Sequence, residues 1–228
     1  MTVNFEALRA ANIARQQEWP GNDKADAAFR ALEVADEVGE VMGAVKKWLR
    51  AQRDIAGTTL TLDDVADEIG DALISLDLFV NELGLGRITP LHLSLSRQFP
   101  TPAKLALEAF ADAGELVDAY LALDAAPSDR TKQHHHDRIR DAVTGLAYCI
   151  GRLAKLFGID PNAAVVAKFN KTSEKYEMAT RMDVQACNFR TKHVYDACTT
   201  CGVDDVKDCM TETPAALKGE TNGETCDP

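Results

Sequence analysis

The stretch ADEVGEVMGAVKKWLR, residues 35–50, decides the fold class. It is a run of good helix formers in which Glu37 and Glu40 stand three apart, one turn beyond Glu33. Working outward, Phe29, Leu32, Val38, Val41, Val45 and Leu49 recur at three- and four-residue steps, so the spacing predicts one helix from about Ala25 to Gln52. A second stretch, ADEIGDALISLDLF at 66–79, repeats the arrangement with Glu68 and Asp71. Thr61 with Asp64 three residues on reads as a capping signal for that helix, which carries Val65, Ile69, Leu73, Leu76, Phe79 and Val80 to an end at Gly84. Upstream, residues 4–18 read as a first helix, closed by the breaker WPGNDKAD. Downstream, Pro90, Pro100 and Pro102 punctuate a segment, LHLSLSRQF, with room for a short helix.

The pattern then restarts. LEVADEVGEVMGA (32–44) lies over LEAFADAGELVDA (107–119) with Glu33 on Glu108, Glu37 on Asp112, Gly39 on Gly114 and Glu40 on Glu115, an offset of 75 residues. FVNELGLG (79–86) lies over LAKLFGID (153–160) at an offset of 74, so the path between the paired helices keeps nearly the same length. A helical hairpin has been duplicated within the chain. At that offset Glu68 falls on Ala142 and Asp71 on Gly145, so the second copy has lost the acids of one helix.

Composition agrees with a helical globular chain: 228 residues, 46% hydrophobic, only 6% aromatic. A formal net charge of −11 argues against a surface that tracks a nucleic-acid polymer. The N-terminus lacks the apolar run of a signal peptide and nothing later approaches a membrane-spanning length, so a cytoplasmic protein without membrane contact is expected.

Carboxylates three apart project from one helix face, so Glu37/Glu40 and Glu68/Asp71 are each able to aim at a facing helix. Four converging carboxylates repel one another and resist desolvation unless cations neutralise them. Oxygen-only ligands suit hard cations, Mg²⁺ or Mn²⁺, which bind substrate phosphates. The plainer reading is a solvated acidic face, and Asp63, Asp64 and Asp67 fit that role as complements to a helix dipole. Glu40 and Asp71, however, interrupt apolar stripes. A di-iron bundle would require Glu-x-x-His motifs, which are absent.

Glu37-Val-Gly-Glu40 followed by Glu68-Ile-Gly-Asp71 resembles the ExxE and ExxD motifs of the MazG-like all-α nucleoside triphosphate pyrophosphohydrolases. GIDPNAAVVAKFNKTSEKYEMATRM (158–182), with its Lys-x-Asn signature at Lys168 and Asn170, is similar to the helix and tail that close that module. The resemblance spans roughly residues 4–182. It implies an all-α fold of two fused modules in a pseudo-dimeric bundle: 1–88 with intact acids, 89–182 degenerate but carrying the Lys-x-Asn helix, and a tail at 183–228. It also implies hydrolysis of a nucleoside triphosphate substrate to the monophosphate and pyrophosphate, controlling nucleotide pools. Metal ions would be held by Glu37, Glu40, Glu68 and Asp71, with Glu37 or Glu40 taking the proton of the attacking water. Lys168, Asn170, Lys171 and Lys175 would reach the phosphates in a composite site, or else form an ordinary basic face within their own half. Lys46 and Lys47 either face the leaving pyrophosphate or solvate a helix end.

The segment before the ExxE helix offers Gln16, Gln17, Trp19 and Asn22 to a nucleobase, Trp19 serving either as a stacking surface or as a core anchor. His134, His135 and His136 are consecutive and therefore diverge, as expected of a solvated loop or helix start. In the tail, His193, Cys198, Cys201 and Cys209 have a spacing compatible with Zn²⁺, against the alternative of a disordered acidic tail with reduced thiols. The competing function is a non-catalytic helical scaffold with a zinc-binding tail. Either form is compatible with a homo-oligomer.

Overall fold

Each helix begins where a side chain can satisfy the free backbone N–H groups of its first turn. Asn4, Asp26, Thr101 and Asp160 accept from Ala7, Phe29, Lys104 and Asn162 respectively. Thr61 with Asp64, and Ser128 with Thr131, close reciprocal capping boxes. In the computed structural model, which describes residues 3–88 and 101–183, the result is an all-α arrangement. Its helices are α1 (Phe5–Glu18), α2 (Ala27–Gln52), α3 (Leu62–Glu82), α4 (Pro102–Asp124), α5 (Asp129–Leu156) and α6 (Pro161–Lys175), with a 3-10 turn at Asn22–Lys24. The segment LHLSLSRQF and the tail residues His193, Cys198, Cys201 and Cys209 lie outside the described residues.

Two antiparallel hairpins, α2–α3 and α4–α5, pack against each other chiefly along α2 and α4. Helices α1 and α6 both dock on α3, which is therefore the most enclosed helix. Ile69, Leu73, Leu76 and Phe79 from α3 meet Val34, Val38 and Val41 from α2 and Leu116, Leu146 and Ile150 from the second hairpin in one continuous core. Burying each such side chain stabilises by about 1.5–3 kcal/mol. Ring contacts cross between hairpins: Phe79 lies 6.0 Å from Tyr120, and Trp48 4.8 Å from Phe157, both edge-on. Among the described residues no single helix is long and apolar enough to cross a membrane.

The two hairpins end in the same way. Both hairpins close with a glycine in the left-handed region, Gly84 at φ 62° and Gly158 at φ 70°, and with equivalent bonds, Leu85 N–H to Val80 O and Ile159 N–H to Ala154 O. The path lengths match as the offsets indicate, but helix and loop divide it differently. The α5 helix has 28 residues against 21 in α3. Gly57, at φ 125°, stops helix formation in the first connection, whereas the Ser128 box starts α5 early.

The apolar face of α2 also differs from the simple stripe. Ala31, Val34, Val38, Val41, Ala44 and Val45 are buried, while Phe29 is half exposed and Leu32 is 70% exposed. Its repeat partner Leu107 is 63% exposed, so the position faces outward in both copies.

Candidate active site

The acids of α2 and α3 converge. One carboxylate oxygen from each of Glu37, Glu40 and Glu68 falls within 4.8 Å of the others. Burial, reinforced by Asp71 and Glu40, pushes Glu37 up to about 8, and burial with the Glu40 charge beside it pushes Glu68 up to about 7. Glu37 Oε2 is buried without a hydrogen-bond partner. Such a cluster has the oxygen donors, the closeness and the uncompensated charge that a hard divalent cation requires.

Asp71 completes the group by another route. Its Oδ2 lies 2.5 Å from the Nζ of Lys168, which also reaches Asp67 at 2.6 Å. Burial works against the charge on Lys168, yet the two carboxylates outweigh it and hold the ammonium above the ordinary lysine range. Burial likewise outweighs that ammonium at Asp71, whose pKa is raised. Lysine 168 reaches α3 because the helices touch at Gly70. A Cβ there would stand 2.7 Å from Lys168 Cβ and 2.8 Å from Ala164 O. Asp67, read from sequence as a dipole complement, instead pairs with Lys168 and, at 2.9 Å, with Lys171.

The remaining sequence candidates divide. Asn170 is committed elsewhere, donating Nδ2–H to Met182 O and accepting from Met182 N–H, which ties residues 176–183 back over the molecule. Glu18 accepts from the Ala179 and Thr180 backbone in the same strap. Lys175 is exposed, its Nζ 5.1 Å from the Tyr176 ring centroid. Lys46 is exposed and Lys47 half-buried further along α2. His134–His136 lie within α5, away from any metal-sized cluster among the described residues.

Beside the acids opens a cavity of about 420 Å³ between α1, the 3-10 turn, α2 and α3. Glu37 of the cluster and Asp71, whose charge acts on Glu37, both line the cavity. Gln16, Trp19 and Asn22 line it as expected, whereas Gln17 is exposed and off its wall. Trp19 packs tilted against Tyr176 at 4.9 Å, so it is anchored and still presents a surface to the cavity. Asn22 accepts from Arg30, whose other terminal nitrogen binds Glu33.

The sequence reading missed Asn12, Arg15, Arg30, Ser75 and Thr172, all on the cavity wall. Arg15 is buried, donates Nη1–H to Phe169 O and lies 3.6 Å from the Phe169 ring centroid. Burial lowers its pKa to about 10, with Asp71 opposing that shift.

The second hairpin fills the corresponding space with protein groups. Where Asp71 has its equivalent, Gly145 leaves room that Asp112 fills, since a Cβ there would stand 2.8 Å from Asp112 Oδ2. Cys149 donates its thiol to that same oxygen, and burial with the nearby carboxylate pushes the thiol up to about 12. Arg138 binds Glu115 and Asp118, so a guanidinium stands beside the acid equivalent to Glu40.

No family model, curated protein or solved structure matches the chain.

Proposed function

We propose that the protein is a cytoplasmic, Mg²⁺- or Mn²⁺-dependent nucleoside triphosphate pyrophosphohydrolase of MazG-like, pseudo-dimeric fold, acting on nucleotide pools. The observation that carries this reading is Glu37, which belongs at once to the three-carboxylate cluster and to a cavity large enough for a base and sugar. Phosphates attached to a nucleoside in that cavity would extend towards the acids. Phosphates are anions, so they require cations there.

The partner-less Glu37 Oε2 and the mutual proximity of Glu37, Glu40 and Glu68 fit a divalent ion, with Asp71 as the fourth ligand. When bound, the ion would neutralise phosphate charge and acidify the attacking water. The chain supplies the rest. Water oxygen would bond to the α-phosphorus, the bridging P–O bond between the α- and β-phosphates would break, and Glu37 or Glu40 would take the water proton. Pyrophosphate leaves with the bonding electrons. Lys168, held charged between Asp67 and Asp71, would serve the phosphates by exchanging Asp71 for a phosphate oxygen. Lys171 offers a second positive charge from the same helix face.

The test is release of pyrophosphate from a panel of ribo- and deoxyribonucleoside triphosphates with Mg²⁺ or Mn²⁺, against EDTA. Metal-dependent release, lost by roughly a thousandfold in Glu40→Gln and Asp71→Asn, is the expected result, since the ion contributes several kcal/mol. Release unaffected by either substitution, or absent with every triphosphate, overturns it.

A further inference from the structure

Among the described residues, five buried side-chain polar atoms lack a hydrogen-bond partner, and three of them belong to residues lining the large cavity: Asn12 Oδ1, Arg30 Nε and Glu37 Oε2. Buried polar groups are ordinarily paired, so three unpaired ones on residues lining one cavity mark where a ligand's polar groups belong. Glu37 serves the acidic end. Asn12 stands apart from it and is the most enclosed, at 0% exposure.

Its orientation is fixed from behind. Asn12 Nδ2 donates to Asp77 Oδ2 at 2.9 Å and faces Ile74 O at 3.5 Å. Asp77 is itself fully buried and held by Arg9, whose Nε reaches both carboxylate oxygens at 3.0 and 3.1 Å. A carboxylate and a carbonyl only accept, so the amide nitrogen must face them and the amide oxygen must face away. Rotating the amide would set oxygen against oxygen in a buried place.

We infer that Asn12 is the base-reading acceptor of this cavity, that Asp77 and Arg9 are the residues positioning it, and that the site thereby selects amino-bearing bases over their keto counterparts. The inference rests on the cavity receiving the nucleobase, as in the proposed function. A pinned acceptor bonds an exocyclic N–H and repels a carbonyl oxygen at the same place. Arg15, one turn further along α1, also lines the cavity, and a guanidinium N–H not spent on Phe169 O would donate to the ring nitrogen beside that amino group. Cytosine and adenine both carry an amino group next to a ring acceptor, whereas uracil and hypoxanthine carry oxygen in its place.

The experiment is calorimetric binding of CMP against UMP, and of AMP against IMP, to the full chain with Mg²⁺. It reads recognition without turnover. In at least one pair the amino member should bind at least about tenfold tighter, as expected where a buried polar partner is left unmet by the analogue. Asn12→Ala, which leaves the Asp77–Arg9 pair intact, should abolish that preference, and Asp77→Asn should relax it by freeing the amide to turn. Should Asp77→Asn fail to fold, Asn12→Ala carries the test, with its melting curve as control. Equal or keto-favouring binding in the native chain, no binding of any of the four, or a preference that survives Asn12→Ala overturns the inference. Amino-selective binding without pyrophosphate release would leave it standing while the catalytic reading falls.

Discussion

Glu37 belongs both to the three-carboxylate cluster and to the cavity wall, and its protonation links stability to pH. Burial, then Asp71 and Glu40, raise it to about 8 from an ordinary value of 4.5. The folded state therefore keeps a proton that the unfolded chain gives up. Below the unfolded value both states are protonated and nothing is lost. As pH climbs from about 4.5 towards 8 the metal-free fold loses stability, and it stays low above that. A divalent ion competes with that proton, so it should stabilise more as pH rises. Melting curves with EDTA are thus expected to fall between about pH 5 and pH 8, with Mg²⁺ restoring the loss most fully at the upper end. Glu37→Gln should flatten the fall. A native chain whose EDTA curve matches that of Glu37→Gln across this range would remove Glu37 from the role.

At the scale of helices, the two glycines of the acidic motifs do different jobs. Gly70 is where α3 and α6 touch, while a Cβ on Gly39 would meet nothing within 4 Å. Gly70→Ala is expected to destabilise by about 1–3 kcal/mol through overpacking. Gly39→Ala should be neutral or stabilising by up to about 1 kcal/mol through helix propensity. Urea unfolding separates them, and equal effects would refute the close approach. The same contrast explains what was legible in the sequence. Apolar period, the breaker at 19–26 and the Thr61 cap located the first three helices within two residues of their ends, because these signals act locally. The placing of Glu37, Glu40 and Glu68 together was legible too, because residues three apart share a face. Leu32 was misread because α2 has two apolar edges and only tertiary contact selects between them. Asn12 and Arg15 were missed since nothing within α1 distinguishes a buried polar side chain from a solvated one. The available signal lay elsewhere: Asp77 interrupts the apolar run LISLDLFV at 73–80, and a buried carboxylate requires partners.

Across the described residues, the two hairpins differ: one carries a three-carboxylate cluster, and in the other protein groups fill the corresponding space. Arg138 beside Glu115 and the thiol of Cys149 beside Asp112 leave the second hairpin without the unmet charge of the first. Asp112→Asn should therefore leave metal-dependent turnover within about twofold, in contrast to the large loss at Asp71. A comparable loss in both variants would mean that the halves share the chemistry. The docking of α6 on α3 joins distant parts of the sequence. The lysine that meets the acids of the first hairpin is encoded after the second one. A chain cut before α6 would leave Asp71 without its ammonium partner and Gly70 without its close neighbour, so neither hairpin carries this arrangement by itself.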